Sequence, residues 1–243
     1  VLGSSVSMDK EFTRKILTAE GIPVVPTEVI RRHEFTKSPE AFIQKMIDRL
    51  GLPHFIKPAN AGSSVGVHKI KDKTKALEQY QDAFKYDTKI LVEKMVDARE
   101  LECSVLGNNE PRVADVIGEI TPTGKHEFYS YEAKYIDENG ADLKIPAENL
   151  SQEMKDRLHD YSRRAFRVLE CRGLARVDFF LDRKTGELFL NEVNTFPGFT
   201  SISMYPKLWE ASGLKYSDLL DQLIQLAVER HEERNSLKTS FEV

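Results

Sequence analysis

Residues 173–194 read GLARVDFFLDRKTGELFLNEVN, and the fold turns on them. Arg176-Val177-Asp178-Phe179-Phe180 alternates polar with apolar, so Arg176 and Asp178 share one face of a strand. Asn191-Glu192-Val193-Asn194 alternates likewise and puts Glu192 beside Asn194. Between them Asp182-Arg183-Lys184-Thr185-Gly186-Glu187 is turn-like, which suits a hairpin. Pairing Asp182 with Leu188 then sets Asp178 opposite Glu192 and Arg176 opposite Asn194. Like charges facing each other across two strands repel unless a cation lies between them. Hard oxygen donors in small number suit Mg2+ held partly by phosphate oxygens. The alternative is a solvated sheet face on which the arginine balances the acids. Phe179-Phe180-Leu181 marks a core strand, which favours the metal.

Upstream, strands and helices alternate. Ser7 to Gly21 reads as one helix stopped by glycine, and Val24 to Ile30 as an edge strand in which Pro26 is tolerated. Ser38-Pro39 opens a second helix that runs to Gly51. Strand His54 to Lys57, loop Pro58 to Gly66, strand Val67 to Ile70, helix Lys73 to Phe84 and strand Lys89 to Glu93 follow. Residues 1–97 thus form a small α+β unit. From Glu100 strands succeed one another, Leu101 to Leu106 and Arg112 to Ile120, before a polar stretch from His126 to Ile145. Ser151 to Glu170 is an amphipathic helix with Leu158, Tyr161, Ala165, Phe166 and Leu169 on one side. After the hairpin come a glycine-bearing loop and two helices, and the polar end from Glu232 is expected to fray. Residues 98–243 form the second α+β unit.

The composition is that of an ordinary globular chain: 243 residues, 40% hydrophobic, with Gly and Pro modest at 13 and 10. That excludes a disordered tail or a collagen-like repeat and leaves one large domain or two of moderate size. With 35 basic against 39 acidic residues the net charge is −4, a poor balance for nucleic acid. No apolar run of about 18 residues is present to cross a membrane. Cys103 and Cys171 stand in unrelated contexts and read as packed, reduced thiols of a cytoplasmic protein. The six histidines lack zinc-site spacing.

Two further stretches carry chemistry. In Lys57-Pro58-Ala59-Asn60-Ala61-Gly62-Ser63-Ser64-Val65-Gly66 the two glycines let backbone N–H groups approach a ligand. The Gly-Lys-Ser/Thr of a Walker loop is absent, and the loop joins two strands rather than a strand and a helix. It fits a lid over phosphates, with Lys57 supplying charge; taken alone, it reads more readily as a plain surface hairpin. Glu93-Lys94-Met95-Val96 closes a strand between the halves of the chain, where an adenine slot can form. By itself it is only a strand end.

Together these segments resemble an ATP-grasp enzyme, and more closely the D-alanine–D-alanine ligase family. The resemblance runs in one order through Met8-Asp9-Lys10, the Phe55 to Gly66 stretch, Val92-Glu93-Lys94, Tyr131-Glu132-Ala133-Lys134-Tyr135, Gly173 to Asp178, and Asn191-Glu192-Val193-Asn194-Thr195-Phe196-Pro197-Gly198-Phe199-Thr200. It implies an α+β ATP-grasp fold in which two α+β subdomains, 1–97 and 98–243, enclose the nucleotide. Lys10, Lys57 and Ser64 resemble the groups on the ATP phosphates. Glu93, with backbone at Lys94 and Val96, resembles the adenine holder, Glu100 the ribose ligand, and Lys134 a further nucleotide contact. Asp178, Glu192 and Asn194 resemble the ligands of two Mg2+ ions, replaceable by Mn2+. Arg176 and the Gly198 N–H would face charge developing on the substrate carboxylate, and Ser203 and Met204 would receive the second amino acid. Ser63 and Tyr135 would sit at the mouth, on the lid and the closing loop. The implied reaction joins two D-alanine molecules through an acyl phosphate for peptidoglycan, and Lys134-Tyr135 resembles the members with an amine rather than a lactate acceptor. The family also implies a homodimer and a further N-terminal domain of about a hundred residues before Val1. The rival readings are another ATP-grasp carboxylate–amine ligase and an ATP-binding chain without ligase activity.

Overall fold

Asp9 divides the first helical stretch. In a computed structural model, which describes residues 1–123, 141–200 and 202–240, α1 spans Leu2–Met8 and α2 spans Lys10–Ala19. Asp9 lies between them in extended backbone, and its carboxylate accepts the N–H groups of Glu11 and Phe12. A side chain that caps a helix start takes the backbone out of the helix at that residue, so the single helix expected from Ser7 becomes two. Gly21 ends the turn after α2 at φ +69°, as its glycine suggested.

The first sheet holds β1 (Thr27–Arg31), β2 (His54–Pro58), β3 (His68–Ile70) and β4 (Lys89–Lys94) in the order β1-β4-β2-β3, all antiparallel. β1 is an edge strand, but it starts at Thr27 rather than Val24. Pro26 has no N–H to give the ladder, and the chain before it leans on the other sheet, where Pro23 O accepts Leu190 N–H at 2.8 Å. Helices α3 (Arg32–Phe35), α4 (Pro39–Leu50) and α5 (Ala76–Tyr86) cover one face. Ile30, Phe35, Ile56, Tyr80, Phe84 and Ile90 form its core.

A three-residue link after β4 leads into the second sheet. It contains β5 (Ala98–Gly107), β6 (Arg112–Val113), β7 (Gly118–Pro122), β8 (Ala141–Lys144), β9 (Gly173–Asp182) and β10 (Leu188–Asn194). The order is β10-β9-β5-β7-β8, again antiparallel, with β6 beside β5. The strand expected over Arg112 to Ile120 is broken into β6 and β7, because Val116 N–H turns away to Ser212 Oγ at 3.0 Å.

Alternation along β5 and β9 then decides which face is core. Leu101, Cys103 and Val105 meet Val177 and Phe179 on the face covered by α2 and by α6 (Gln152–Val168). Phe166 of α6 is fully buried there, so cutting it to alanine costs about 3–5 kcal/mol. Cys103 and Cys171 are both buried and unbridged, and burial pushes Cys103 up to about 12 and Cys171 up to about 11. Helices α7 (Met204–Ala211) and α8 (Tyr216–Asn235) cover one end of the opposite face, around Leu106, Tyr205, Leu208 and Trp209. α8 continues past Glu232 to Asn235. The rest of that face carries Arg176, Asp178 and their neighbours. Among the described residues no helix is long and apolar enough to cross a membrane.

Candidate active site

The hairpin does not start as expected. Leu188 pairs with Leu181, one residue away from Asp182, and Asp182 N–H donates to Glu187 O. A bulge at Asn191 takes up the extra residue, after which Glu192 faces Asp178 and Asn194 faces Arg176. The expected pairs form for a reason the alternation alone does not hold. Leu190 and Val193 are both core residues, so the two residues between them both fall outside the core face. Asn191 is thereby aimed into the site, where its Oδ1 accepts from Lys57 Nζ at 3.4 Å.

β9 lies between β10 and β5, and Glu102 of β5 also faces Asp178. Glu192, Asp178 and Glu102 therefore form a row of three carboxylates across three strands. Arg176 grips Asp178 with two hydrogen bonds, Nε to Oδ1 at 2.7 Å and Nη2 to Oδ2 at 2.8 Å. Its Nε also lies 3.1 Å from Glu102 Oε2. Burial works against the guanidinium charge, but Asp178, Glu102 and Glu192 outweigh it and hold Arg176 protonated. Glu102 is pushed well up, first by burial and then by Asp178, Glu100 and Glu192, against the pull of Arg176. Glu100 stands two residues before Glu102, on the same face of β5. Glu102 escaped the sequence reading, although its alternation with Leu101 and Cys103 carried the signal.

A second charged knot lies on the first sheet. Glu93 on β4 is buried, with Arg14 of α2 on Oε1 and Lys57 Nζ 2.7 Å from Oε2. Burial raises the Glu93 pKa, yet Arg14, Lys57 and Lys10 hold it below the usual carboxylate range. Lys57 moves the other way. Burial brings it down to about 8, helped by Arg14 and Lys10 and opposed by Glu93. Arg14 was not singled out from sequence, because nothing local marks a helical arginine as buried.

Lys10 opens α2 just after the Asp9 cap. Its N–H bonds Ala59 O at 3.1 Å and its Nζ reaches Ala61 O at 2.6 Å, so α2 and the glycine loop are tied together. The loop joins the paired strands β2 and β3, so it is a hairpin connection. Ser63 and Ser64 adopt φ of 52° and 59°, a left-handed backbone that few serines take. Gly66 follows at φ +68°, where a Cβ would meet the Tyr86 ring at 2.6 Å.

Lys94 N–H is already bonded to Pro26 O at 3.0 Å, and Val96 lies in the link from β4 to β5. Ser203 precedes α7, with its Oγ accepting Thr200 N–H at 3.0 Å, and Met204 is buried. Gly198 lies against Ser203, whose Oγ would stand 2.7 Å from a Cβ there. Lys134 and Tyr135 lie outside the described residues.

By donor type the acidic row suits a hard divalent cation, with carboxylate and amide oxygens and no sulfur or imidazole, but among the described residues no three His, Cys, Asp or Glu side chains are grouped closely enough to hold one as placed. Within the row, buried Glu102 Oε2 has no hydrogen-bond donor among the described residues. In the arrangement seen, Arg176 occupies both oxygens of Asp178, and Asn194 Nδ2 donates to Asp178 at 2.9 Å and Glu192 at 3.3 Å. Ligation would require Asn194 to turn its Oδ1 inward.

Residues 16–225 match the family described as D-ala D-ala ligase C-terminus. The D-alanine–D-alanine ligase A of Bradyrhizobium diazoefficiens is 48% identical over 99% of this chain and 64% of its own length. The D-alanine–D-alanine ligase of Caldicellulosiruptor bescii is 49% identical over 100% of this chain and 65% of its own. Among solved structures, the D-alanine–D-alanine ligase from Coxiella burnetii superposes with a TM-score of 0.81 at 36% identity, covering 97% of this chain and 60% of that one. The VanG D-Ala:D-Ser ligase from Enterococcus faecalis gives 0.78 at 34%, covering 93% and 63%. The chain thus spans somewhat less than two thirds of the length of these relatives. Its two antiparallel sheets form the ATP-grasp fold of those structures, and the chain belongs to the D-alanine–D-alanine ligase family.

Proposed function

We propose that this chain carries the nucleotide and second-substrate machinery of an ATP-dependent ligase that joins two D-alanine molecules into D-alanyl-D-alanine for peptidoglycan. The observation that carries the reading is the carboxylate row Glu192–Asp178–Glu102 with Arg176 in it, on the sheet next to the Lys57–Glu93 pair. Residues 1–97 and 98–243 are taken as the two subdomains around the nucleotide.

A carboxylate is a poor electrophile, so the first D-alanine attacks the γ-phosphorus of ATP, releasing ADP and leaving an acyl phosphate. Lys10 and Lys57 hold the phosphates from α2 and β2 while the Ser63-Ser64 loop covers them. Glu93 takes the adenine amino group, and Glu100 the ribose. Asp178, Glu192 and Asn194 would hold Mg2+, which supplies charge neutralisation on the phosphate oxygens when bound. The amine of the second D-alanine, seated at Ser203 and the start of α7, attacks the acyl carbon. Arg176 and the Gly198 N–H stabilise the tetrahedral oxyanion, and phosphate leaves. Ser63 and Tyr135 close the mouth, which keeps water from the acyl phosphate. The cytoplasm suits this chemistry and keeps the buried free thiols reduced.

The test is to incubate the chain with Mg-ATP and D-alanine and to follow phosphate and dipeptide together, with D-serine and D-lactate as competing acceptors. Matched phosphate and D-alanyl-D-alanine support the reading. Nucleotide binding without dipeptide favours an ATP-binding chain that does not ligate alone, and a preferred D-lactate product overturns the amine acceptor.

A further inference from the structure

Arg176 and Asp178 have more than one demand on them. Arg176 uses both oxygens of Asp178, and those are the oxygens a cation would need. A guanidinium released from its partner in a part-buried site must find another acceptor or lose stability. Glu102 is placed to be that acceptor. It stands across the ladder from Asp178 on β5 and is 4% exposed. Its Oε2 is 3.1 Å from Arg176 Nε, yet the N–H is aimed at Asp178 Oδ1 and the Glu102 oxygen receives no hydrogen bond among the described residues. A buried carboxylate oxygen left without a donor beside an engaged guanidinium is costly unless another state of the site uses it.

We propose that Glu102 is a positioning residue, the second seat of the Arg176 guanidinium, which receives it when Asp178 turns to a divalent cation. Transfer needs little movement, because both acceptors already lie about one hydrogen-bond length from Nε. Arg176 then stays in the site, facing the reacting carboxylate, while Asp178 is freed. Without Glu102, Arg176 leans on Asp178 and competes with the cation for it. This inference rests on the cation reading above and adds a residue outside the set Asp178, Glu192 and Asn194.

The experiment measures Mn2+ binding to the full chain with ADP by electron paramagnetic resonance, for the unmodified chain, Glu102→Gln, Arg176→Met and the double variant. We expect Glu102→Gln to weaken Mn2+ binding about tenfold, or 1.4 kcal/mol, with a melting temperature unchanged or raised. In the Arg176→Met background the same change should have little effect, since the competitor is gone. Equal losses in both backgrounds would mean that Glu102 acts only through its charge, and would overturn the proposal, as would unaltered binding in Glu102→Gln. Should that variant fail to fold by circular dichroism, Glu102→Asp keeps the charge, shortens the reach and enters the same cycle with the same expectation. An unmodified chain that binds no Mn2+ with ADP overturns the cation reading itself, a result distinct from either of these.

Discussion

Glu192 faces Asp178 directly across the β9–β10 ladder, although the hairpin that joins them begins one residue out of the register that would place them so. The Asn191 bulge makes up the difference, and two carboxylates meet where electrostatics would separate them. Such a pair costs stability unless a positive charge lies between its members.

Glu192→Ala should therefore abolish turnover while leaving the fold intact. Loss of one ligand oxygen set should cut ATP-dependent phosphate release by at least about a hundredfold. Removing one of two facing like charges should shift stability by less than about 1 kcal/mol. Phosphate release and a thermal melt on the same preparation check both halves. Near-normal release would sink the ligand assignment.

On the proposed placing of Lys57 at the ATP phosphates, nucleotide affinity should depend on pH. Burial brings the Lys57 pKa from the ordinary 10.5 down to about 8. Above that pH the free chain loses the positive charge offered to the phosphates, so kcat/KM for ATP should fall on the alkaline side, with its limb near pH 8. Lys57→Arg should move that limb upward, because a guanidinium stays charged. The sign for stability is opposite. Between about 8 and 10.5 the unfolded chain holds a proton that the folded chain has released, so this group's contribution to stability rises with pH. An alkaline limb that stays in place in Lys57→Arg would assign it to another group.

Asp9 links stability to the position of Lys10. It caps α2 and pairs with Lys89 Nζ at 2.6 Å, which Glu11 also contacts at 2.9 Å. Asp9→Ala removes a cap worth about 1 kcal/mol and part of the anchorage of a buried lysine. A total near 2 kcal/mol would lower the melting temperature of a chain this size by about 4–8 °C. Fraying of the first turn would also loosen Lys10 from Ala61 and raise KM for ATP. Asp9→Asn keeps a capping oxygen but not the charge facing Lys89, so it should recover about half of that loss; an Asp9→Ala chain with unchanged melting would refute the cap.

What the sequence disclosed and what it withheld follow from range. Alternation and turn residues are local, so the β9–β10 hairpin, the β2–β3 hairpin and the Arg176–Asp178 face could be read from neighbours in the chain. The pairing of β5 with β9 joins residues 66 to 84 positions apart, so local alternation could give the face of Glu102 but not its place opposite Asp178 as the third acid of the row. Arg14 was hidden for the same reason: its partner Glu93 is 79 residues away. The bulge at Asn191 has no local marker, since no glycine announces it, and it arises because Leu190 and Val193 both seek the core. For the fold, the family motifs reached further than periodicity did, because a motif carries the tertiary contacts of its relatives with it.

Gly198 tests the far end of the site. A Cβ there would stand 2.7 Å from Ser203 Oγ, closer than real contacts allow. Ser203 Oγ is held by Thr200 N–H at 3.0 Å and Thr200 Oγ1 at 2.9 Å, so it has little room to retreat. Gly198→Ala should therefore push Ser203 and the start of α7 outward and misplace the acceptor for the second amino acid. KM for the second D-alanine should rise about tenfold, or 1.4 kcal/mol, while KM for ATP stays near its original value. The clash is with one oxygen, and Ser203→Ala removes it. The double variant should then be no worse than Ser203→Ala alone, a non-additivity that residues acting independently would not give. Initial rates with each substrate varied in turn separate these outcomes. Losses that simply add would mean that Gly198 acts through its own backbone and not through Ser203.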